Sequence, residues 1–192
     1  MVLNIPILLG SSRNGRKSVH VARYLLEKLQ SRKMVDTRLL DLAEYDFPIM
    51  EERYVDMSPP PDGLREFAET IAGADGLLIV APEYKSGYPA VLKNALDYLA
   101  PNIFNRRPVA ICTVSAGGFG GINCLSQLRL VCLAMGGVPI PGALPISNVN
   151  EWFGDDGVPL NPRLDDRSRG VIDELLWYAA ALAAHRSVSE QG

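Results

Sequence analysis

A chain of 192 residues, 47% hydrophobic and 21% charged, is enough for one domain with a sizeable core and short for two, so a single domain over 1–192 is expected. A formal net charge of -3 gives no general electrostatic attraction to nucleic acid, which needs a concentrated basic surface, although Arg13, Arg16 and Lys17 form a local basic run. No apolar run reaches the roughly 18 residues that cross a bilayer, and the polar, basic stretch 10–17 falls where a secretory leader needs an apolar core, so a cytoplasmic protein without membrane contact is expected.

Residues 5–9 (IPILL) are the first predicted strand, an apolar run of the kind that helices cover on both faces. Pro6 lacks a ladder donor, so either the strand begins after it or a bulge absorbs it. Val19, Ala22, Leu26 and Leu29 follow at helical spacing. Residues 34–40 supply a more polar second strand and 62–73 a second helix. Between them the proline-rich stretch 46–61, with Phe47 and Tyr54, reads as a long ordered loop over a ligand crevice or a subunit partner. A third strand at 76–81 (GLLIVA) precedes a helix carrying Leu92, Ala95, Leu96 and Leu99, and a fourth at 109–114 (VAICTV) precedes one carrying Ile122, Leu125, Leu128, Cys132 and Met135. Cys112, Cys124 and Cys132 are odd in number, lie in apolar stretches and match no zinc spacing, which indicates reduced core thiols and no metal site. A short last strand at 138–140, a second proline-rich loop at 141–162 with Trp152 and Phe153, and a helix at 167–185 striped by Val171, Ile172, Leu175, Leu176, Ala179 and Leu182 complete the pattern. Five strands alternating with five helices through right-handed crossovers make a doubly wound α/β fold. The number and the polar second strand suit a three-layer αβα sandwich with a five-stranded parallel sheet in the flavodoxin-like order 2-1-3-4-5.

Ligands of such a sheet sit beyond the carboxyl ends of the strands, where the order reverses. Three loops there are unusual. After the first strand, 9–18 (LGSSRNGRKS) places exposed amides, three serine hydroxyls and a guanidinium just before a helix, an arrangement that holds an anion. Taken alone it is equally a solvated turn capped by Ser18. It is not a Walker loop, because Arg16 intervenes between Gly15 and Lys17, and it is not a dinucleotide fingerprint, because Ser12 stands where a second glycine is needed. After the third strand, 81–89 (APEYKSGYP) leads into a helix with Pro89 in its first turn. Ser86 and Gly87 allow the backbone to turn closely under a planar ring, with Pro82 and Tyr84 as contacts, while simple packing of Tyr84 and Tyr88 is the plainer alternative. After the fourth, 115–121 (SAGGFGG) has four glycines in seven residues, which suits close approach of a ring edge and equally suits tight helix packing.

Together 9–18, 81–99 (APEYKSGYPAVLKNALDYL) and 115–121, followed by Gln127, Leu128 and Arg129, resemble the NAD(P)H-dependent FMN reductase family of flavodoxin-like proteins, which includes quinone, azo-dye and chromate reductases. The resemblance spans most of residues 4–140. It implies FMN as cofactor, NADPH or NADH as co-substrate, and hydride passed through the flavin to a small acceptor: a quinone, free flavin, an azo compound or a metal oxyanion. By position, Ser11, Arg13 and Ser18 correspond to phosphate ligands. Pro82, Glu83, Tyr84 and Lys85, with Ser86 and Gly87, correspond to the wall beside the isoalloxazine, and Ser115, Gly117 and Gly118 to the groups across from it. Lys85 departs from the family, which usually has asparagine there; its charge lies near the flavin, near a nucleotide phosphate, or in solvent. No catalytic acid is required where the flavin carries the chemistry; Glu83 and Tyr84 stand where a proton donor would, but pairing and packing are their more ordinary roles. Arg106, Arg107 and Lys85 are candidates for the pyridine nucleotide's phosphates. An electron carrier or redox sensor without NAD(P)H turnover, and a nucleotide hydrolase using Lys17, are the competing readings. The resemblance also implies dimers or tetramers, and surplus apolar surface at Tyr88, Leu92, Tyr98 and Leu99 predicts at least a homodimer.

Overall fold

The computed structural model describes residues 1–189; the last three positions of the expected 1–192 domain lie outside the described residues. The first strand path is divided at Pro6 into β1 (Leu3–Asn4) and β2 (Ile7–Leu9), and its neighbour is divided in step into β3 (Val35–Asp36) and β4 (Leu39–Asp41). Proline removes one donor, yet the path survives because the flanking groups stay paired. Ile5 N donates to Asp36 O and Ile7 N to Arg38 O, Thr37 Oγ1 donates to Ile5 O at 2.7 Å, and the Pro6 carbonyl accepts from Leu78 N. Neither a bulge nor a late start is needed: the strand begins at Leu3 and steps around the proline.

The remaining elements are α1 (Ser18–Gln30), α2 (Leu64–Ala72), β5 (Leu77–Pro82), α3 (Ala90–Asp97), β6 (Pro108–Val114), α4 (Ile122–Ala134), β7 (Val138–Ile146) and α5 (Arg163–Ser189). The pairings between these strands are parallel and the five-stranded sheet runs β4-β2-β5-β6-β7, which is the order 2-1-3-4-5 once the divided strands are counted as one path each. Alternation along each strand builds two cores. Leu9, Leu78, Val80, Ala110, Cys112 and Val114 face α1 and α5, while Leu8, Leu77, Ile79, Ala81, Val109 and Ile111 face α2, α3 and α4.

Two expectations about the connections change. The last strand runs nine residues, through Pro139, Pro141 and Pro145, because it lies at the sheet edge, where a missing donor faces no neighbouring strand. Its one re-covered edge amide, Gly142 N, donates to Glu174 Oε2 of α5 at 3.0 Å. The loop at 46–61 is tied down on its own chain. Asn94 accepts from Met50 N and donates to Pro48 O, Tyr98 Oη donates to Pro48 O, and Tyr45, Phe47, Met50, Tyr54 and Met57 close the core beneath α2 and α3. The same packing removes the surface on which a dimer was expected: Leu92, Tyr98 and Leu99 are buried within the chain and Tyr88 is half-buried.

Candidate functional site

The carboxyl ends of β2, β5 and β6 bring the three unusual loops together. Ser11 is fully buried, and its hydroxyl shares a 2.9 Å hydrogen bond with the Tyr84 hydroxyl, tying the first loop to the second. α1 then begins at Ser18 with Lys17 in the capping position, no side chain bonded to its first amides and no acidic residue in its first turn. Ser18 is therefore not the cap. Its hydroxyl is buried inside the helix start and has no hydrogen-bond partner, as has Arg16 Nε. Such groups cost stability unless an acceptor meets them. Arg16 is held in place by Asp41 at the end of β4, to which its Nη2 donates at 2.5 Å, and Asp41 in turn accepts from Ala43 N. An uncapped helix N-terminus, an orphaned buried hydroxyl and adjacent guanidinium donors match a phosphate monoester in charge and in donor set.

That end opens into a cavity of about 160 Å³ whose walls include Arg13, Ser18, Pro82, Glu83, Tyr84 and Ser115. Six of the residues expected at the site thus meet at one place. Ser11 lies behind them, bonded to Tyr84. Lys85, Ser86, Gly87, Gly117 and Gly118 extend from it along the two neighbouring loops without lining that cavity.

The 83–87 turn is built tightly. Tyr84 N donates to Gly87 O and Gly87 N to Tyr84 O, with Lys85 at φ 51° and Ser86 at φ 62°, both left-handed. This is the geometry of a primed two-residue turn, which favours asparagine and glycine. Lys85 and Ser86 occupy it against their preference, with both side chains exposed. The turn is braced from α4: Gln127 Nε2 donates to Ser86 O at 2.9 Å, and Glu83 Oε2 accepts from Asn123 N and Cys124 N at 3.0 Å each. Glu83 therefore caps α4. Burial, with the Glu83 carboxylate adding to it, pushes the Cys124 thiol up to about 12; burial does the same to Cys132 and raises Cys112 as well, so the cysteines are inert core thiols.

In the third loop the glycines divide into two kinds. Gly121, at φ 76°, lies against Thr113, and a Cβ there would stand 2.9 Å from Thr113 Cβ. Gly117 and Gly118 have open space beside them, and Phe119 next to them is 86% exposed. Thr113 Oγ1 donates to Gly120 O, Ser115 Oγ to Gly117 O, and Asn148 N to Gly117 O, which fixes the open part from both sides.

Sequence reasoning misplaced Arg106 and Arg107. They precede β6, at the opposite edge of the sheet, where Arg107 donates to the carbonyls of Ala72 and Ala74 at the end of α2, each at 2.6 Å. A guanidinium there satisfies helix carbonyls and complements the negative end of the helix. Lys17 carries no hydrolase signal; its ammonium pairs with Asp155 at 2.6 Å. Asp41, Gln127 and Asp155 were missed as supports of the loops. Gln127 had a signal in its motif, whereas Asp155 had none.

A helix start open to a phosphate, beside a turn and a glycine loop open to a flat group, defines a flavodoxin-like mononucleotide-binding protein. The sequence matches the family NADPH-dependent FMN reductase over residues 3–151, and the chain belongs to that family. An NADPH azoreductase of Bacillus sp. (strain OY1-2) is 26% identical over 191 residues, covering 98% of each chain. A 2-hydroxy-1,4-benzoquinone reductase of Burkholderia sp. is 35% identical over 139 residues, covering 69% of this chain and 71% of the relative. Among solved structures, the flavoenzyme NAD(P)H:(acceptor) oxidoreductase FerB of Paracoccus denitrificans superposes with a TM-score of 0.75 at 22% identity, over 94% of this chain and 98% of that one, which places the fold. The protein is an FMN-binding, NAD(P)H-dependent oxidoreductase acting on a small acceptor.

Proposed function

We propose that the chain, as one FMN-binding domain, reduces flat conjugated acceptors of the quinone and azo type. The observation that carries this reading is the open space beside Gly117 and Gly118, which follow directly on Ser115 and Ala116 in the wall of the cavity that Tyr84 also lines. When bound, FMN supplies the chemistry, taking hydride from NAD(P)H and passing it to the acceptor. The chain's own part is to bind and orient. Ser18, Arg13 and the α1 amides take the phosphate, and Ser11 fixes Tyr84. Pro82, Glu83 and Tyr84, with the backbone of Lys85, Ser86 and Gly87, form one wall, and Ser115, Gly117 and Gly118 the other. The azoreductase and benzoquinone reductase names of the relatives support this acceptor class.

The oligomer is proposed on a different surface from the one first expected. Ile122, Leu130 and Leu133 share the outer face of α4 and are 49%, 68% and 58% exposed, and Phe119 precedes them. A homodimer, or a tetramer containing it, buries this face. Among the described residues no helix is long and apolar enough to cross a membrane, and a cytoplasmic setting is proposed with it.

The test is anaerobic mixing of the FMN-loaded protein with NADPH, then with a benzoquinone, an azo dye or chromate. Loss of the yellow colour by NADPH and its return fastest with the quinone or the dye is the expected result. No bleaching overturns the reductase, and fastest return with chromate overturns the acceptor class. A monomeric mass at micromolar concentration overturns the oligomer.

A further inference from the structure

This inference rests on the reductase reading and concerns the charge of the acceptor. The three loops of the site, 9–18, 81–89 and 115–121, carry four cations, Arg13, Arg16, Lys17 and Lys85, and one acid, Glu83. The acid is engaged by the amides of Asn123 and Cys124. Of the cations, Arg16 is paired with Asp41 and Lys17 with Asp155, while Arg13 lines the cavity at Ser18 to which the flavin phosphate is assigned. Lys85 differs from all three. It is exposed, it makes no ion pair among the described residues, and it stands outside that cavity, so the flavin phosphate is not its partner.

The backbone is strained to hold this lysine. Lys85 and Ser86 are left-handed, at φ 51° and φ 62°, in a two-residue turn for which asparagine and glycine are the relaxed choices. The turn is nevertheless firmly placed: Tyr84 and Gly87 exchange both backbone hydrogen bonds, and Gln127 Nε2 donates to Ser86 O at 2.9 Å. Strain that the surroundings hold in place at a site points to a functional demand. Asparagine or glycine would serve the backbone better, so what lysine adds is its charge. Its neighbour Tyr84 lines the cavity, and the flexible four-carbon stem carries a compact cation outward from that wall. With Glu83 turned to α4, no free acid of the three loops opposes an anion there. We infer that the enzyme selects flat acceptors bearing an acid group on the ring, a sulfonate, a carboxylate or an ionised hydroxyl, and that Lys85 is the specificity-determining residue that pairs with it.

Turnover of the FMN-loaded enzyme with NADPH is compared on methyl orange, an azobenzene sulfonate, and on 4-dimethylaminoazobenzene, the same dye without the sulfonate. Lys85→Asn is expected to lower the charged-to-neutral ratio of kcat/KM by about threefold to fivefold, the scale of one exposed ion pair, and Lys85→Glu by more, while Lys85→Arg keeps the ratio. Taking the ratio cancels any change in flavin loading or in its reduction by NADPH. Added salt narrows the ratio in the unmodified enzyme and leaves it unmoved in Lys85→Asn. Without turnover, methyl orange binding to the oxidised, FMN-loaded protein, read from the absorbance of the dye, weakens by a similar factor in Lys85→Asn. An unchanged ratio in both Lys85→Asn and Lys85→Glu overturns the inference, and so does an effect confined to KM for NADPH, which would assign the lysine to the nucleotide. Failure of NADPH to reduce the bound FMN overturns the reductase reading instead, and leaves the dye-binding comparison readable.

Discussion

Helices α1 and α4 both start at the carboxyl edge of the sheet, directly after a loop of the site, and both point a positive end at it. They are finished differently. The start of α4 is closed by the chain itself, through the Glu83 carboxylate on the amides of Asn123 and Cys124. The start of α1 has no acid in its first turn and keeps a buried Ser18 hydroxyl without a partner. The fold thus makes equivalent anion sites, and one internal carboxylate decides which of them is left for a ligand. On the proposed reading the flavin phosphate goes to α1, while Glu83 and Gln127 tie the 83–87 turn to α4.

The contrast breaks most severely if the open end is stripped. Arg13→Ala with Ser18→Ala is expected to weaken FMN binding by about 100-fold or more, the loss of two hydrogen bonds to a charged group, measured by flavin fluorescence titration. Ser18→Ala alone should leave the FMN-free protein as stable as before or slightly more so, because it removes an unsatisfied buried hydroxyl; a lower Tm would show that the hydroxyl has an internal partner. Next in size, Glu83→Ala opens the closed end and should destabilise the protein by about 2 kcal/mol in denaturant unfolding, with Glu83→Gln losing less. A smaller effect of opposite sign follows from the turn that α4 braces. Ser86→Gly relieves a left-handed serine and should add about 0.5–1 kcal/mol, partly offset by the freer unfolded chain.

The smallest effect concerns His20, beside the open end. Burial, then Lys17 and Arg23, hold its imidazole below the ordinary value of 6.5, against weaker opposite pulls from Asp156 and Asp155. The unfolded chain therefore takes up the proton first, so this contribution is complete above about pH 6.5 and is lost as pH falls through the folded value. His20→Gln should flatten the fall in Tm between about pH 7 and pH 5 relative to the unmodified protein. An identical slope in the two proteins would remove His20 from the balance.

Most of the fold was legible because its signals are local. Unbroken apolar runs mark buried strands and a 3.6-residue period marks helices, and both survive whatever packs against them. Pro6 was legible as a difficulty but not in its solution, which depends on Thr37 reaching the Ile5 carbonyl and Leu78 reaching the Pro6 carbonyl from the strand paths on either side. The extension of β7 to Ile146 was illegible because three prolines are tolerable only if the strand is an edge, and position in the sheet is not a local property. The surface of Leu92, Tyr98 and Leu99 was misjudged for the same reason: all three are buried within the chain, Tyr98 beneath Phe47, Pro48 and Tyr54, which carry no helical or strand period to announce where they lie.

The loop at 9–18 shows the division most clearly. Its own residues determined that an anion can be held there, since the amides, hydroxyls and guanidinium are next to one another in the chain, and the neighbouring motifs specified the nucleotide. Only the tertiary structure decided that the end of α1 stays open, that Arg16 is fixed by Asp41 25 residues away, that Lys17 answers to Asp155 138 residues away, and that Glu83 closes α4 across 40 and 41 residues. Periodicity is written along the chain, whereas the partner of a charge is whichever group folding brings within hydrogen-bonding distance.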